Sequence, residues 1–332
     1  MTRMTSEKKL KLALPKGSLW NTTEKLFTEA GYNFRSSSRE YRLAVNDEAL
    51  DIKLLRPQEI PNYLANDSGF DLGISGLDWV KETRVDVATV LDLDVGKVKI
   101  VFCVPTFWSD IHSLDDFIAR FHKENRVLRI STEYINISID HIMQTPSYKK
   151  LYGDSEPLVT TPWKSWGSNE NVKLYLSFGA TEAKPPEEVD AIIDNTETGT
   201  TIKANNLEII ETLDESSALL IANKRSLQDP WKREKIKDIM ILLTGVIKAR
   251  KKLHVFMNVT EKNLPELLER LPALKQPTVS KLAGADGWLA INTIINKDEF
   301  IGLIPELRRL AQGIVVSEPR QVLPMELSKL DV

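Results

Sequence analysis

Short apolar runs alternate with amphipathic stretches along the first third of the chain. Three runs are typical of buried strands, namely "LKLALP" at 10–15, "LDIKLLRP" at 50–57 and "FDLGISG" at 70–76. The stretches after them are typical of helices, namely "LWNTTEKLFTEAG" at 19–31, "PQEIPNYLAND" at 57–67 and "LDWVKE" at 77–82. Strands alternating with helices at this spacing indicate a parallel, doubly wound α/β sheet.

A second strand–helix series follows the apolar run "KIVFCVP". Its strands are predicted in "RVLRISTEYINIS" at 126–138, "NVKLYLSF" at 171–178 and "VDAIID" at 189–194. "IKANNLEIIETL" at 202–213 is interpreted as a helix, and "SSALLIANKRS" at 216–226 as a strand that returns to the first sheet. The pattern therefore predicts two interleaved α/β lobes with a cleft between them, the first formed by 1–105 and 206–230 and the second by 106–205.

The last hundred residues change pattern. Residues 231–250 are predicted to form a connecting helix with an apolar stripe at Ile236, Ile239, Met240, Leu243 and Ile247. Residues 251–332 then read as strand, helix, two strands, helix and strand. This βαββαβ order is the ferredoxin-like plan.

Length and composition restrict the class of protein without identifying it. A chain of 332 residues with 42% hydrophobic and 27% charged residues suggests two or three globular domains. The formal net charge of −3 gives no sign that nucleic acid or an anionic membrane is the main partner. Cys103, the single cysteine, lies in an apolar run and is interpreted as a core thiol, and the four histidines lack metal-ligand spacing. With no apolar run of about 20 residues and no secretory signal, a cytoplasmic location is expected.

One polar segment stands out as candidate chemistry. "DNTETGTT", residues 194–201 and hereafter the threonine loop, lies between a predicted strand and a predicted helix. Free N–H groups at a helix start, the hydroxyls of Thr198, Thr200 and Thr201, and a flexible Gly199 suit a phosphate. Asp190 and Asp194 suit sugar hydroxyls or a magnesium ion instead, so a sugar phosphate fits better than a bare phosphate. The alternative is a threonine-capped helix start with a turn glycine.

Further stretches occur in a characteristic order. They are "LALPKGSLW" at 12–20, "LLRPQEIPNYL" at 54–64, "FDLGISGLDWVKE" at 70–82, "FGATEAKPPEEVDAIIDNTETGTTIKANNLE" at 178–208 and "QPTVSKLAGADGWLAINTII" at 276–295. Together they resemble the ATP phosphoribosyltransferase family in its long form. The resemblance implies two interleaved periplasmic-binding-protein-like (type II) lobes plus a C-terminal ferredoxin-like (ACT-like) regulatory domain. Two features depart from it: Ser18 stands where an arginine is frequent, and 160–172 match no motif.

The resemblance also implies an activity. The family joins ATP to phosphoribosyl pyrophosphate through N1 of adenine and releases pyrophosphate, with magnesium present, as the first step of histidine biosynthesis. Feedback inhibition by histidine and exchange between dimers and a hexamer are expected with it. The alternatives are a non-catalytic bilobal ligand-binding or sensory protein, and an amino-acid-responsive regulator built around the last domain.

The resemblance assigns the candidate residues to sites. Phosphoribosyl pyrophosphate is expected at Glu182, Asp194, Glu197, Thr198, Gly199, Thr200 and Thr201, with Asp194 and Glu182 also contacting magnesium through the substrate. ATP is expected at Lys16, Gly17, Ser18, Arg56, Gly76 and Asp78, although Asp78 could instead cap a helix. Asn258, Leu274, Gln276 and Thr278 are expected near bound histidine. Apart from the resemblance, Thr132 and Glu133 stand at the end of a second-lobe strand, where open α/β sheets bind ligands, so they are expected at the ligand site or in a contact between the lobes. Lys16, Arg56 and Glu182 are the catalytic candidates, acting by position and charge.

Overall fold

The computed structural model describes residues 8–35, 41–66, 69–271 and 277–324. The chain divides into two compact units. One consists of Leu10–Trp20 and Asp51–Ser226, and the other contains Asn21–Leu50 and the chain from Leu227 onward. Among the described helices, none has the length and apolar character needed to cross a membrane.

Helices and strands alternate in the order that the apolar pattern predicts for most of the chain. The helices are α1 (Ser18–Glu29), α2 (Ile60–Ala65), α3 (Leu77–Thr83), α4 (Leu114–Lys123), α5 (Ile135–Gln144), α6 (Pro146–Tyr152), α7 (Thr200–Ala204), α8 (Pro230–Ala249), α9 (Leu264–Arg270) and α10 (Lys297–Leu310). The strands up to the second lobe are β1 (Leu10–Pro15), β2 (Phe34–Arg35), β3 (Arg42–Val45), β4 (Leu50–Leu55), β5 (Leu72–Gly76), β6 (Ala88–Asp92) and β7 (Val98–Pro105). The remaining strands are β8 (Leu128–Thr132), β9 (Pro157–Thr160), β10 (Ser165–Trp166), β11 (Asn169–Leu176), β12 (Ala191–Thr196), β13 (Leu207–Ser216), β14 (Ala218–Ala222), β15 (Lys252–Thr260), β16 (Thr278–Lys281), β17 (Trp288–Asn296) and β18 (Ala311–Ser317).

The first sheet, within the unit that contains it, has the strand order β4-β1-β5-β14-β6. Strands β1 and β5 are parallel, and β14 runs antiparallel to both β5 and β6. Helix α2 packs Ile60 and Leu64 against Ala13, Leu219 and Ile221 of the sheet. Each aliphatic side chain buried in this way contributes about 1.5–3 kcal/mol. The prediction that 216–226 return to the first sheet is confirmed by β14.

The second sheet has the order β10-β9-β11-β8-β12-β7-β13. Strands β9, β11, β8 and β12 are parallel. Strand β7 runs antiparallel to both β12 and β13, so β13 points the same way as the four parallel strands. The unmatched residues 160–172 form the β9–β10 hairpin and the start of β11. Cys103 of β7 is fully buried, as expected for a core thiol, and burial raises the pKa of its thiol.

The predicted lobe boundaries at 105 and 206 differ from the sheets that form. Strands β7 and β13 both belong to the second sheet, because β7 pairs with β12 on one side and with β13 on the other. The chain therefore enters the second sheet before residue 98 and returns to the first between 216 and 218. An apolar strand does not reveal from its own pattern which of two sheets it joins.

The helix predicted over 202–213 is wrong in its greater part. Helix α7 ends at Ala204, and Asn206 adopts a left-handed conformation with φ of 56°. Residues 207–216 instead form the long strand β13, paired with β7. Ile209, Ile210 and Thr212 are β-branched and favour the strand once β7 supplies a partner.

The other unit contains the β2–β3 hairpin, helix α8 and the last domain. In the last domain, β15, α9, β16, β17, α10 and β18 follow the predicted βαββαβ order. The third sheet has the order β16-β17-β15-β18 with antiparallel neighbours, which is the ferredoxin-like arrangement. Its core includes Val255, Met257, Ile291, Leu307 and Leu310.

Candidate active site

Two adjoining cavities lie where parallel strands of the first and second sheets end. Lys16 and Arg56 follow the carboxyl ends of β1 and β4, and Glu133 follows that of β8. The threonine loop begins within β12 and ends in α7. Ligands in open α/β sheets bind outside the carboxyl ends of the strands, so the topology alone places these residues at a candidate site.

The first cavity, the acidic cavity, has a volume of about 470 Å3. It is lined by the carboxylates of Glu133, Glu182, Asp194 and Glu197 and by hydroxyls of the threonine loop. None of the described residues lining it is a lysine or arginine. All of the residues predicted to bind phosphoribosyl pyrophosphate line this cavity except Gly199.

Asp194 lies at the centre of the carboxylate group. Burial raises the pKa of its carboxyl to about 6, and the charges of Glu133 and Glu182 act in the same direction. Hydrogen bonds from the Asn195 N–H and the Thr181 hydroxyl only partly oppose that rise. Burial also raises the pKa of Glu133, while the Gly179 N–H and Lys184 oppose it. The cavity therefore concentrates negative charge that no lining cation balances.

The threonine loop is held in a defined turn. Gly199 has φ of 74°, and its N–H donates to the Thr196 hydroxyl at 2.8 Å. Its carbonyl accepts from the Lys203 N–H, and a side chain at this position would meet Ile209. Gly199 was expected to bring its backbone to the ligand, but here it shapes the turn beneath the loop, because its polar groups are already used. The hydroxyls of Thr198 and Thr200 lie 2.8 Å apart, and the N–H groups of Thr200 and Thr201 open α7.

The second cavity, the mixed-charge cavity, has a volume of about 290 Å3. It is lined by all six residues predicted to bind ATP, namely Lys16, Gly17, Ser18, Arg56, Gly76 and Asp78. Glu133, Asn195 and Glu197 line both cavities, which are therefore neighbours. Arg56 is exposed, and its guanidinium makes no hydrogen bond or ion pair with the residues the structure describes.

Gly73 and Gly76 make room for neighbouring side chains of the protein, a role that the sequence did not reveal. A Cβ at Gly76 would stand 2.0 Å from Oδ1 of Asp78, so the glycine makes room for that carboxylate. A Cβ at Gly73 would meet Ile60 of α2 at 2.7 Å. Gly76 had been predicted to contact ATP; at both glycines, the protein's own side chains occupy the space that a Cβ would need.

Asp78 is neither a helix cap nor an unpaired ligand group. It is buried, Ser216 Oγ donates to its Oδ1 at 2.7 Å, and Tyr134 Oη donates to its Oδ2 at 2.8 Å. Tyr134 and Ser216 could not be recognised as partners of Asp78 from local pattern, because they lie 56 and 138 residues from it along the chain.

The two residues predicted at the ligand site or between the lobes take different positions: Glu133 lines the mixed-charge cavity together with Lys16 and Arg56 of the first lobe, whereas Thr132 does not. Thr132 is fully buried within the second lobe, where its hydroxyl accepts from the Tyr134 N–H at 2.8 Å. Tyr134, which lies between the end of β8 and the start of α5, makes the hydrogen bond to Asp78 of the first lobe. Helix α3 adds Glu82, whose carboxylate accepts from the N–H groups of Asn136 and Ile137 at the start of α5.

The residues present fit a hard metal ion that arrives with a substrate. Among the described residues, no group of three or more side chains is arranged to hold a metal ion by itself. The carboxylate oxygens of Asp194 and Glu182 are nevertheless the donor type that magnesium prefers, and magnesium commonly uses one or two carboxylates plus substrate phosphates.

The residues predicted near bound histidine are only partly described. Thr278 is exposed on β16, and Leu274 and Gln276 lie outside the described residues. Asn258 lies on β15, and its buried Oδ1 has no hydrogen-bond partner among the described residues.

Comparisons with known proteins agree over nearly the whole chain. A family model described as ATP phosphoribosyltransferase matches residues 56–245, and one described as HisG, C-terminal domain, matches 249–319. An ATP phosphoribosyltransferase from Chlorobium chlorochromatii (strain CaD3) is 41% identical over 318 residues, which are 94% of this chain and 97% of that protein. One from Desulforudis audaxviator (strain MP104C) is 40% identical over 322 residues, 95% of this chain and 100% of that protein.

A solved structure is similar in fold. It is an ATP phosphoribosyl transferase (HisG:HisZ) complex from Thermotoga maritima, with a TM-score of 0.52 and 23% identity over 72% of this chain and 98% of that chain. At this identity the likeness concerns the fold alone.

Proposed function

The chain belongs to the ATP phosphoribosyltransferase family, and from that premise we propose that each of its two cavities binds one of the two substrates. The enzyme transfers the phosphoribosyl group of phosphoribosyl pyrophosphate to ATP, the first step of histidine biosynthesis. The observation that carries the proposal is the adjacency of the acidic and mixed-charge cavities through Glu133, Asn195 and Glu197.

Phosphoribosyl pyrophosphate binds in the acidic cavity. The hydroxyls of Thr198, Thr200 and Thr201 and the first N–H groups of α7 donate to its 5′-phosphate. Each such charge-assisted hydrogen bond contributes about 1.5–3 kcal/mol. Asp194 and Glu182 accept from the ribose hydroxyls, which is a use for carboxylates that a phosphate alone would not provide.

ATP binds in the mixed-charge cavity, with N1 of adenine directed at the anomeric carbon of the ribose. Lys16 and Arg56 stabilise phosphate charge on ATP and on the departing pyrophosphate. The new N1–C1′ bond forms as the C1′–oxygen bond to pyrophosphate breaks, and the electron pair leaves with pyrophosphate. The protein supplies alignment and charge rather than a covalent intermediate.

Asp194 and Glu182 would hold a magnesium ion that arrives with phosphoribosyl pyrophosphate. The ion would neutralise pyrophosphate charge and so make pyrophosphate a better leaving group. Burial raises the pKa of Asp194, and a cation held there would offset that rise by favouring the ionised carboxylate.

The remaining features belong to the same proposal. The two lobes are periplasmic-binding-protein-like, and the last domain is an ACT-like regulatory domain that binds histidine through Asn258, Leu274, Gln276 and Thr278. Histidine inhibits the enzyme, which exchanges between dimers and a hexamer and works in the cytoplasm. The ferredoxin-like order of the third sheet supports the assignment of the last domain.

The test is a direct assay. Protein shown to be folded is mixed with ATP, phosphoribosyl pyrophosphate and magnesium, and phosphoribosyl-ATP is followed by its ultraviolet absorbance. Product formation that falls on adding histidine is the expected result. Absence of product would favour the non-catalytic bilobal binding protein, and a rate unchanged by millimolar histidine would remove the regulatory assignment.

A further inference from the structure

A hydrogen-bond network joins the first lobe to the threonine loop; Asp78, Tyr134 and Ser216 are buried in it, and Asn195 is exposed at its cavity end. Tyr134 Oη donates to Asp78 Oδ2 at 2.8 Å and accepts from Asn195 Nδ2 at 2.6 Å. Ser216 Oγ donates to the other oxygen of Asp78 at 2.7 Å and accepts from the Asp78 N–H at 3.0 Å. The four residues come from α3, the start of α5, β12 and β13, so the network is assembled only in the folded protein.

The direction of each hydrogen bond in the network is fixed by chemistry. An ionised carboxylate can only accept, so the Tyr134 hydroxyl gives its one proton to Asp78. The phenol oxygen must then accept, which obliges Asn195 to present its amide nitrogen rather than its oxygen. Burial raises the pKa of Tyr134, so the phenol keeps its proton at any physiological pH. Asp78 therefore determines, through Tyr134, how the Asn195 amide is oriented.

The surroundings hold Tyr134 in one place. Its side chain is fully buried, and its ring stacks on Trp79 of α3 at 4.6 Å between centroids. The next helix starts immediately after it, and Glu82 of α3 binds the first N–H groups of that helix. A side chain that is fully buried, stacked on a neighbouring ring and hydrogen-bonded at its hydroxyl holds its position accurately.

Resting on the proposed function of the two cavities, we propose that Tyr134 is a positioning residue for phosphoribosyl transfer. Asp78 lines the mixed-charge cavity, Asn195 lines both cavities, and the Tyr134 hydroxyl is the bridge between them. The network fixes the distance and orientation of the ATP site relative to the ribose site. The side-chain oxygen of Asn195 remains available to accept a hydrogen bond from a substrate hydroxyl. The expected signature is a loss in kcat with little change in either KM, because each cavity keeps its own contacts.

The chain contains a matched control for Tyr134. Tyr148 is also fully buried in the second lobe, and its hydroxyl likewise accepts from an asparagine amide, Asn169 Nδ2, at 2.9 Å, and donates to a carbonyl, that of Ser155. Tyr148 lines neither cavity. Tyr134→Phe and Tyr148→Phe thus remove the same group from similar surroundings.

The experiment measures kcat, both KM values and thermal unfolding for the two variants and the wild type. Tyr134→Phe should lower kcat by about 10- to 100-fold, the cost expected of a misplacement of about 1 Å. Tyr148→Phe should lower Tm to a similar extent and leave kcat unchanged. Equal kcat for the two variants, in an assay where the wild type turns over, would overturn the inference. An inactive wild type would instead refute the proposed function.

A second experiment exchanges the carboxylate and the amide on the two sides of the Tyr134 hydroxyl. It remains informative if Tyr134→Phe does not fold. In Asn195→Asp, two carboxylates compete for one phenol proton; in Asp78→Asn, neither neighbour of the phenol needs that proton. Each single variant should lose kcat. The double variant Asp78→Asn/Asn195→Asp reverses the direction of the hydrogen bonds. Its kcat should be at least tenfold higher than that of the less active single variant. Additive losses in the double variant would contradict the bridging role.

Discussion

The two cavities are neighbours but differ in charge. The acidic cavity has four carboxylate residues and no lysine or arginine among its described lining residues. The mixed-charge cavity is lined by Lys16 and Arg56 as well as by Asp78, Glu133 and Glu197. The first suits hydroxyl groups and a metal-bound anion, and the second suits phosphate chains. The contrast explains how a chain with net charge −3 can bind two polyanions: the necessary positive charge is local, and part of it is brought by the substrate.

The largest effect should come from Asp194, because it lies where negative charge is most concentrated. Under the proposed assignment, Asp194→Asn would remove an acceptor for the ribose hydroxyls and a contact to the metal ion. Two charge-assisted contacts of about 1.5–3 kcal/mol each correspond to a loss of roughly 10²–10⁴-fold in kcat/KM for phosphoribosyl pyrophosphate. Steady-state kinetics at saturating ATP measure the loss.

The same substitution should raise stability. Burial raises the pKa of Asp194, so keeping it ionised at neutral pH costs the folded protein free energy. The Asp194→Asn variant should therefore unfold at a higher Tm than the wild type at pH 7.5 without metal or substrate. Glu187→Gln is the control, since Glu187 is exposed and lines neither cavity. A variant with normal kcat/KM would show that the acidic cavity is not the ribose site.

Arg56, in the mixed-charge cavity, should give the next largest effect on activity. Arg56→Ala removes an exposed cation of the mixed-charge cavity, which should raise KM for ATP or lower kcat by about 10- to 100-fold. Arg56→Lys should restore part of the activity, because it keeps the charge but loses the two-pronged geometry. Arg35→Ala, a substitution at an exposed arginine that lines neither cavity, is the control. If the Arg56→Ala loss is confined to KM for phosphoribosyl pyrophosphate, the two cavities have been assigned in the wrong order.

The local pattern of apolar and polar residues predicted most features that depend on a single strand or turn. Residues at strand ends, such as Lys16, Arg56 and Asp194, line the cavities because parallel strands place their ends at one edge, and that rule needs no knowledge of partners. Strand β13 was missed because its partner β7 lies about a hundred residues earlier, and only pairing decides between helix and strand in "LEIIETL".

Contacts between distant residues escaped prediction for the same reason. The Asp78–Tyr134 hydrogen bond spans 56 residues and the Asp78–Ser216 bond spans 138. Glycines were misjudged as well: Gly76 looked like space for a ligand, but Asp78 two residues later fills it. A motif shows which residues gather at a site, whereas packing decides whether a residue faces the ligand or supports a neighbour that does.

A smaller effect should come from the threonine loop, which supplies the donors of the acidic cavity. Thr201→Val removes one hydroxyl and leaves the backbone N–H, so KM for phosphoribosyl pyrophosphate should rise by about tenfold. The KM for ATP should not change. Thr212→Val, at an exposed position of β13, is the matched control. An unaltered KM for phosphoribosyl pyrophosphate would mean that the phosphate lies elsewhere.

The smallest effect should come from Glu82, which lines neither cavity and supports the lobe contact beside them. Burial raises the pKa of Glu82 from 4.5 to about 7, against the opposing influence of the Asn136 and Ile137 N–H groups and Arg84. The folded protein therefore holds this proton more tightly than the unfolded chain does. The contribution to stability is complete below pH 4.5 and is lost as pH rises through about 7.

Glu82→Gln should remove that contribution from the pH dependence. Between pH 4.5 and 8, the Tm of the wild type should fall relative to that of the variant by about a few degrees, while kcat at pH 8 changes little. Thermal unfolding of both proteins across this range measures the difference between their Tm values at each pH. Groups that titrate in both proteins contribute equally to the two Tm values and so do not affect that difference. Parallel curves would show that Glu82 does not titrate in this window. A large change in kcat would instead show that the lobe contact, and not only the charge of the two cavities, sets the rate.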